Sequence, residues 1–248
     1  MRQVGTIDAL YRYPVKSLLG EELAVADVGE RGVAGDRARA VIDVATGKVA
    51  SAKNPRLWAG LLTLDGTAPP DDAALSRMFG REVRLADVPP EGAELERSVP
   101  EEVLEKGIAA EVGMTISRIG AAAPGTFFDF APLHVITTST VESVGVEVVR
   151  YRPNLVIRTP EEGFVENAWV GGTLHIGEDL VIEVIVPSPR CSVPTLAHGD
   201  LPRDTDALRM VAKHNLVQVL DLGKRACAGV YARVQNPGTI RPGDPVLL

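Results

Sequence analysis

No apolar stretch of this chain runs far before a proline or a glycine interrupts it. Eighteen prolines and 24 glycines are spread through short runs rich in Val, Ile and Leu. Such punctuation leaves little room for long helices and favours many short strands joined by turns. Aromatic residues make up only 4% of the chain, so the core must come mainly from Val, Ile, Leu and Ala. At 248 residues the chain can form one large barrel or two modest domains, and it buries enough surface to fold without staples.

In order, the first half predicts strands at Val4 to Leu10, Leu23 to Val28 and Ala38 to Val44. Lys48 to Lys53 returns across the Thr46-Gly47 turn as a hairpin partner, and Leu61 to Leu64 reads as another short strand. Asp71-Asp72, the apolar spacing after them and Gly80 predict a short helix, with a strand from Arg81 to Val88 behind it. Residues 89–125 carry prolines, glycines and a charged run, and read as a weakly structured surface excursion. That excursion sets the boundary between a first domain over 1–120 and a second over 121–248.

The second half predicts a strand from Leu133 to Thr138 and a helix from Ser139 to Val144 capped by Ser139 or Thr140. Strands follow from Tyr151 to Arg158 and from Leu180 to Val186, the latter stopped by Pro187 and Pro189. Asp204 and Asp206 cap a helix from Ala207 to His214, before strands at Leu216 to Leu220 and Val230 to Val234. The fold class is therefore mainly β with small helical insertions (α+β), and barrel-like.

Lys and Arg number 26 against 33 Asp and Glu, a net charge of −7 with no basic stripe. This argues against a nucleic-acid partner, while a pocket can still be locally basic. No apolar run approaches the roughly 18 residues of a membrane span. Met1-Arg2-Gln3-Val4 lacks the apolar core of a signal peptide, so the expected location is the cytoplasm, away from membranes. Two cysteines cannot supply the four thiolates of an iron–sulfur cluster.

The chemistry centres on Pro187-Ser188-Pro189-Arg190-Cys191-Ser192-Val193-Pro194. A thiol in a proline-stiffened turn, with a guanidinium beside it, is placed to act as thiolate, either as nucleophile or as a soft metal ligand. Equally, Cys191 can be one more small buried hydrophobe. Around it the strand ends carry Lys16, Ser17, Arg37, Thr137, Thr138, Arg152, Asn154 and Arg190. Cations and hydroxyls of this kind suit a phosphate or a similar anion. The four histidines show no metal-ligand spacing, and Cys227 reads as packing.

Longer motifs add a resemblance. They are Tyr13-Pro14-Val15-Lys16-Ser17, Gly32-Val33-Ala34-Gly35-Asp36-Arg37, Ser51-Ala52-Lys53-Asn54-Pro55, Pro132-Leu133-His134 through Thr137-Thr138, Tyr151-Arg152-Pro153-Asn154-Leu155-Val156, Gly163 through Trp169, Pro189-Arg190-Cys191 and Gly238 through Asp244. In this order the chain resembles the MOSC proteins, named for the C-terminal part of molybdenum cofactor sulfurase, over nearly its whole length. The resemblance implies two β-barrel-like subdomains, an N-terminal MOSC barrel and the MOSC domain, with a pyranopterin molybdenum cofactor between them. Cys191 would be the thiolate on molybdenum, and Lys16, Ser17, Arg37, Thr137, Thr138, Arg152, Asn154 and Arg190 would hold the pterin and its phosphate.

The activity so implied is an oxidoreductase that reduces small N-hydroxylated or N-oxide substrates. Its electrons would come from a separate ferredoxin or flavoprotein, since no such domain follows Leu248. Two other readings stand beside it: a sulfur carrier using a Cys191 persulfide, and a non-catalytic carrier of the molybdenum cofactor. Pyridoxal phosphate is disfavoured, because the sulfurases bind it in a separate domain. Asn167 stands where many relatives have an acid. Asp36 and Glu166 lie within site motifs, either as acid–base groups or as groups that orient the arginines.

Overall fold

The computed structural model describes residues 1–119 and 124–248, so the expected boundary between residues 120 and 121 lies outside the described residues. Seven strands close into a barrel. They are β1 (Gln3–Arg12), β2 (Leu133–Thr137), β3 (Leu155–Arg158), β4 (Thr173–Ile176), β5 (Leu180–Pro189), β6 (Lys224–Asn236) and β7 (Pro245–Leu247). Round the ring the order is β1, β3, β2, β6, β5, β4, β7 and back to β1. Only β2 and β3 run parallel. The crossover between them carries the helix Thr138–Val144, as a parallel pair requires.

Period-two alternation builds the barrel interior. Along β5, Leu180, Ile182 and Val184 are buried, and the residues between them are only partly so. Those three meet Val4, Ile7, Leu133, Ile157 and Val230 in one apolar cluster. The mainly β class with helical insertions is thus what the molecule shows. The barrel takes β1 from the N-terminal half. Most of the rest of that half forms smaller sheets, pairing Ala40–Asp43 with Val83–Ala86 and Glu94–Ser98 with Met114–Arg118, while Ala26–Gly29 pairs with Gly238–Ile240 near the C-terminus.

Several local expectations are corrected. Lys48 to Lys53 is not a strand, because its backbone bonds are shared between two neighbours. Ala50 N donates to Val41 O (2.8 Å), whereas Val49 N donates to Glu94 O (2.8 Å). Leu61 to Leu64 falls mostly in a 3-10 turn, Ala59–Thr63. Residues 89–125 are not weakly structured throughout: they hold the Glu94–Ser98/Met114–Arg118 hairpin with the helix Pro100–Lys106 inserted. The prolines do not stop β5, which continues through Pro187 to Pro189 past register shifts that absorb them. The cap of the Thr138–Val144 helix is Thr137, whose Oγ1 accepts from Thr140 N. The Asp206–His214 helix has Thr205 at its cap position, while Asp204 accepts from Asp206 N (2.8 Å).

Barrel closure depends on a close approach at Gly5, where β1 meets β3. A Cβ there would overlap the Arg158 carbonyl oxygen and sit 2.8 Å from Ile157 Cγ2. Gly5→Ala is expected to destabilise the fold by about 1–3 kcal/mol. A lowered denaturant midpoint at unchanged slope would register it, and an unchanged midpoint would contradict it.

Candidate functional site

Strand ends and turns from both halves of the chain enclose a cavity of about 660 Å³. It gathers Lys16 and Ser17 from beyond β1, Arg37, Arg152 and Asn154 from before β3, and Arg190 and Cys191 from the end of β5. These are seven of the nine positions singled out in the sequence. Thr137 and Thr138 are not among its lining residues. Thr137 is fully buried and donates to Glu166 Oε2 (2.7 Å). Glu166 also accepts from Thr140 Oγ1 (2.7 and 2.8 Å) and Gly229 N (3.1 Å). Burial raises its carboxyl pKa despite those donors. This net ties the turn at 165–169 to β2 and β6, away from the cavity.

The cavity wall is backbone-strained. Ser17 (φ 65°), Arg37 (φ 45°), Arg152 (φ 55°) and Leu220 (φ 43°) are the non-glycine residues with left-handed φ among the described residues, and all four line it. Such conformations cost about 1–3 kcal/mol each and persist only where surrounding bonds over-determine them. Here they do. Ser17 Oγ accepts from Ala52 N (3.1 Å). Arg37 binds Asp36, the Arg152 carbonyl (3.1 Å) and Asn154 Oδ1 (3.4 Å). Arg152 Nη1 donates to the Leu18 carbonyl (2.6 Å).

Charge is the dominant feature. Nine lysines and arginines line the cavity with one carboxylate, Asp129. Arg37 and Arg152 both stack on the Tyr13 ring, at 4.6 and 4.3 Å from its centroid. Burial, and then the nearby Arg37, push Arg152 down to about 10. Its Nη2 is buried without a hydrogen-bond partner. Asp129 bridges Lys16 (3.0 Å) and Lys53 (2.7 Å). Burial alone would raise the Asp129 carboxyl, but the two lysines outweigh it and hold it well below the usual range. Arg190 is fixed by the carbonyls of Ser188 (3.0 Å) and Tyr151 (3.3 Å). Asn154 stitches β1 to β2, donating to Tyr11 O (3.3 Å) and accepting from His134 N (3.1 Å).

Sequence reasoning missed Lys53, Arg97, Asp129 and Arg150 as lining residues. For Asp129 a signal existed: one acid inside Phe127-Phe128-Asp129-Phe130. Cys227 is buried beside Val186 and Val219, and burial raises its thiol to about 11. Packing is therefore its role, as the sequence suggested.

Burial pushes Lys16 down to about 8 against the pull of Asp129. Below that value the ammonium is buried at a cost to folding. Between about 8 and the ordinary 10.5 the unfolded chain holds a proton that the folded chain has shed, so this group makes stability rise with pH. Anion binding must run the other way. Affinity for inorganic phosphate, measured by calorimetry, is expected to fall as pH rises through about 8, and Lys16→Met is expected to flatten the profile. A pH-independent affinity in the natural chain would count against the assignment.

Comparison with known proteins bears on both halves. The MOSC N-terminal beta barrel domain matches residues 4–75, and the MOSC domain matches residues 126–247. Mitochondrial amidoxime-reducing component 1 of Mus musculus is 24% identical over 291 aligned positions, covering 100% of this chain and 83% of that protein. The Homo sapiens protein of the same name is also 24% identical, with 84% of it covered. Among solved structures, the YUAD protein from Bacillus subtilis aligns over 99% of this chain and 96% of its own at 12% identity, with a TM-score of 0.47. Since the two domain matches take in the lysine and arginine turns of the first half and the cysteine strand of the second, the chain belongs to the MOSC family.

Proposed function

We propose that the cavity holds a pyranopterin molybdenum cofactor, with Cys191 as the protein ligand to the metal, and that the protein reduces small N-oxygenated substrates with electrons from a separate redox protein. Membership of the MOSC family and relatives named amidoxime-reducing components support a molybdenum-cofactor reductase at the family level. The observation that carries the reading to this chain is the cavity itself. A half-buried thiol shares it with an excess of buried cations, one of which keeps an unpartnered Nη2.

The residues fit the group chemically. A thiol is the soft donor that a metal of this kind takes. Lys16, Arg37, Arg152 and Arg190 supply charge-assisted donors for a phosphate, with Ser17 and Asn154 between them. Thr137 lies in the Glu166 net and is left out of this set, as is Thr138. When bound, the cofactor supplies the two-electron change by which an N-hydroxylated compound, two electrons and two protons become the amine and water. The protein binds, orients and excludes water, and the hard chemistry belongs to the cofactor. Buried Phe128 and partly buried Tyr231 give part of the cavity an apolar wall against which an uncharged substrate can lie.

Protein made in a host that synthesises the cofactor is expected to carry about one molybdenum per chain and to reduce benzamidoxime with an artificial donor. Cys191→Ser is expected to lose at least most of both, with its circular dichroism and melting unchanged. Full metal content in that variant would remove Cys191 from the site. Absence of metal from the natural chain would turn the reading toward a Cys191 persulfide carrier, which mass spectrometry after incubation with a desulfurase would register.

A further inference from the structure

Five of the cationic residues that line the cavity, Lys53, Arg97, Arg118, Arg150 and Arg225, are not used by the proposed cofactor contacts. Arg97 is half-buried in the Glu94–Ser98 strand and lines the cavity, yet its guanidinium makes no hydrogen bond or ion pair among the described residues. Asp129 feels its charge, but that carboxylate is already held by Lys16 (3.0 Å) and Lys53 (2.7 Å). The same hairpin adds Thr115, Ser117 and the exposed Arg118 to the wall. Residues 76–125, which contain this hairpin, fall between the two family matches. A wall built from that stretch is a place where this chain can set its own preference while the remaining walls come from the family domains.

An apolar shelf lines the same cavity. Phe130 and Tyr231 stack with centroids 5.3 Å apart, tilted by 39°. Phe130 (44% exposed), Leu220 (60%) and Leu222 (56%) leave large apolar surfaces open to a ligand. A flat ring takes such a shelf well. A planar guanidinium without a partner, partly withdrawn from water, takes a carboxylate through two parallel hydrogen bonds. Its partial burial favours a small ligand over a protein surface, since screening by salt and water is weaker inside a cavity.

The geometry points to Arg97 as the residue that selects flat N-hydroxylated substrates bearing a carboxylate, with Phe130, Tyr231 and Leu220 receiving the ring. This rests on the reductase reading for the reacting end of the substrate. Arg97 recognises the other end and takes no part in the electron or proton transfer.

The test compares 4-carboxybenzamidoxime with 4-carbamoylbenzamidoxime, which has the same shape and no charge. Binding is measured by calorimetry on the cofactor-loaded chain and on its Arg97→Gln and Arg97→Lys variants. The natural chain is expected to bind the carboxylate compound at least about tenfold more tightly, the margin of a charge-assisted pair. In Arg97→Gln the preference is expected to fall within about twofold of parity, with part of it restored in Arg97→Lys. Ratios of kcat/KM for the two compounds are expected to follow. Equal affinity in the natural chain, or a preference that survives Arg97→Gln, overturns the assignment. Absence of turnover with both compounds would count against the reductase, and the binding ratio would still decide Arg97.

Discussion

Like charges crowded into one cavity are the constraint that the rest of the molecule answers to. Two unit charges about 4 Å apart interact by roughly 4 kcal/mol at the effective dielectric near a protein surface. Arg37 and Arg152 both lie over one tyrosine ring, at 4.6 and 4.3 Å from its centroid, so they cannot be far apart. The fold meets this repulsion by aiming neutral and anionic acceptors at each cation. Asp36 takes Arg37, Asp129 takes Lys16 and Lys53, and backbone carbonyls of Leu18, Phe127 and Tyr151 take Arg152, Lys16 and Arg190. What they leave over is positive, and that surplus attracts an anion.

The same bonds join the two halves of the chain. Lys16 reaches Phe127 and Asp129, Arg37 reaches Asn154 and the Arg152 carbonyl, and Arg152 reaches Leu18. Each spans more than a hundred residues of sequence. The left-handed backbones at Ser17, Arg37 and Arg152 sit at these contacts, so strain and cohesion occur together. A ligand anion that neutralises the surplus would therefore stabilise the joint between halves as well as occupy the site.

Much of this was legible in the sequence, for physical reasons. Apolar runs broken by glycine and proline announced strands, and β1, β2 and β5 lie where they were expected. Cations at strand ends announced a site, and Lys16, Ser17, Arg37, Arg152, Asn154, Arg190 and Cys191 meet in one cavity. Thr137 was misplaced because a hydroxyl at the junction of strand and helix has a local use that spacing does not reveal: it caps the helix and binds Glu166. Residues 48–53 were misread because only Lys48 and Ala50 bond back to the preceding strand, whereas Val49 and Lys53 bond to Glu94 and Ser98, some forty-five residues on, which no local pattern encodes. Lys53 and Arg97 reach the cavity only through tertiary packing.

Placement of the thiol shows how far such pairing reaches. Cys191 lies on a segment that leaves β5 and runs through the turn Val193–Thr195, and a rigid strand alone would not fix its course. Arg150 does so from beneath. It is 2% exposed, pairs with Glu147 (2.6 Å) and donates to the carbonyls of Leu196 (3.1 Å) and Pro202 (2.9 Å). A buried guanidinium with these acceptors is costly to leave unpaired, so the segment cannot lift away without exposing or orphaning that charge. Ala52 and Leu62 pack against Val193 and Leu196, with Cys191 at the edge of the cluster. The thiol is thus held from the C-terminal half by charge and from the N-terminal half by apolar contact, and both halves are needed to set where it points into the cavity.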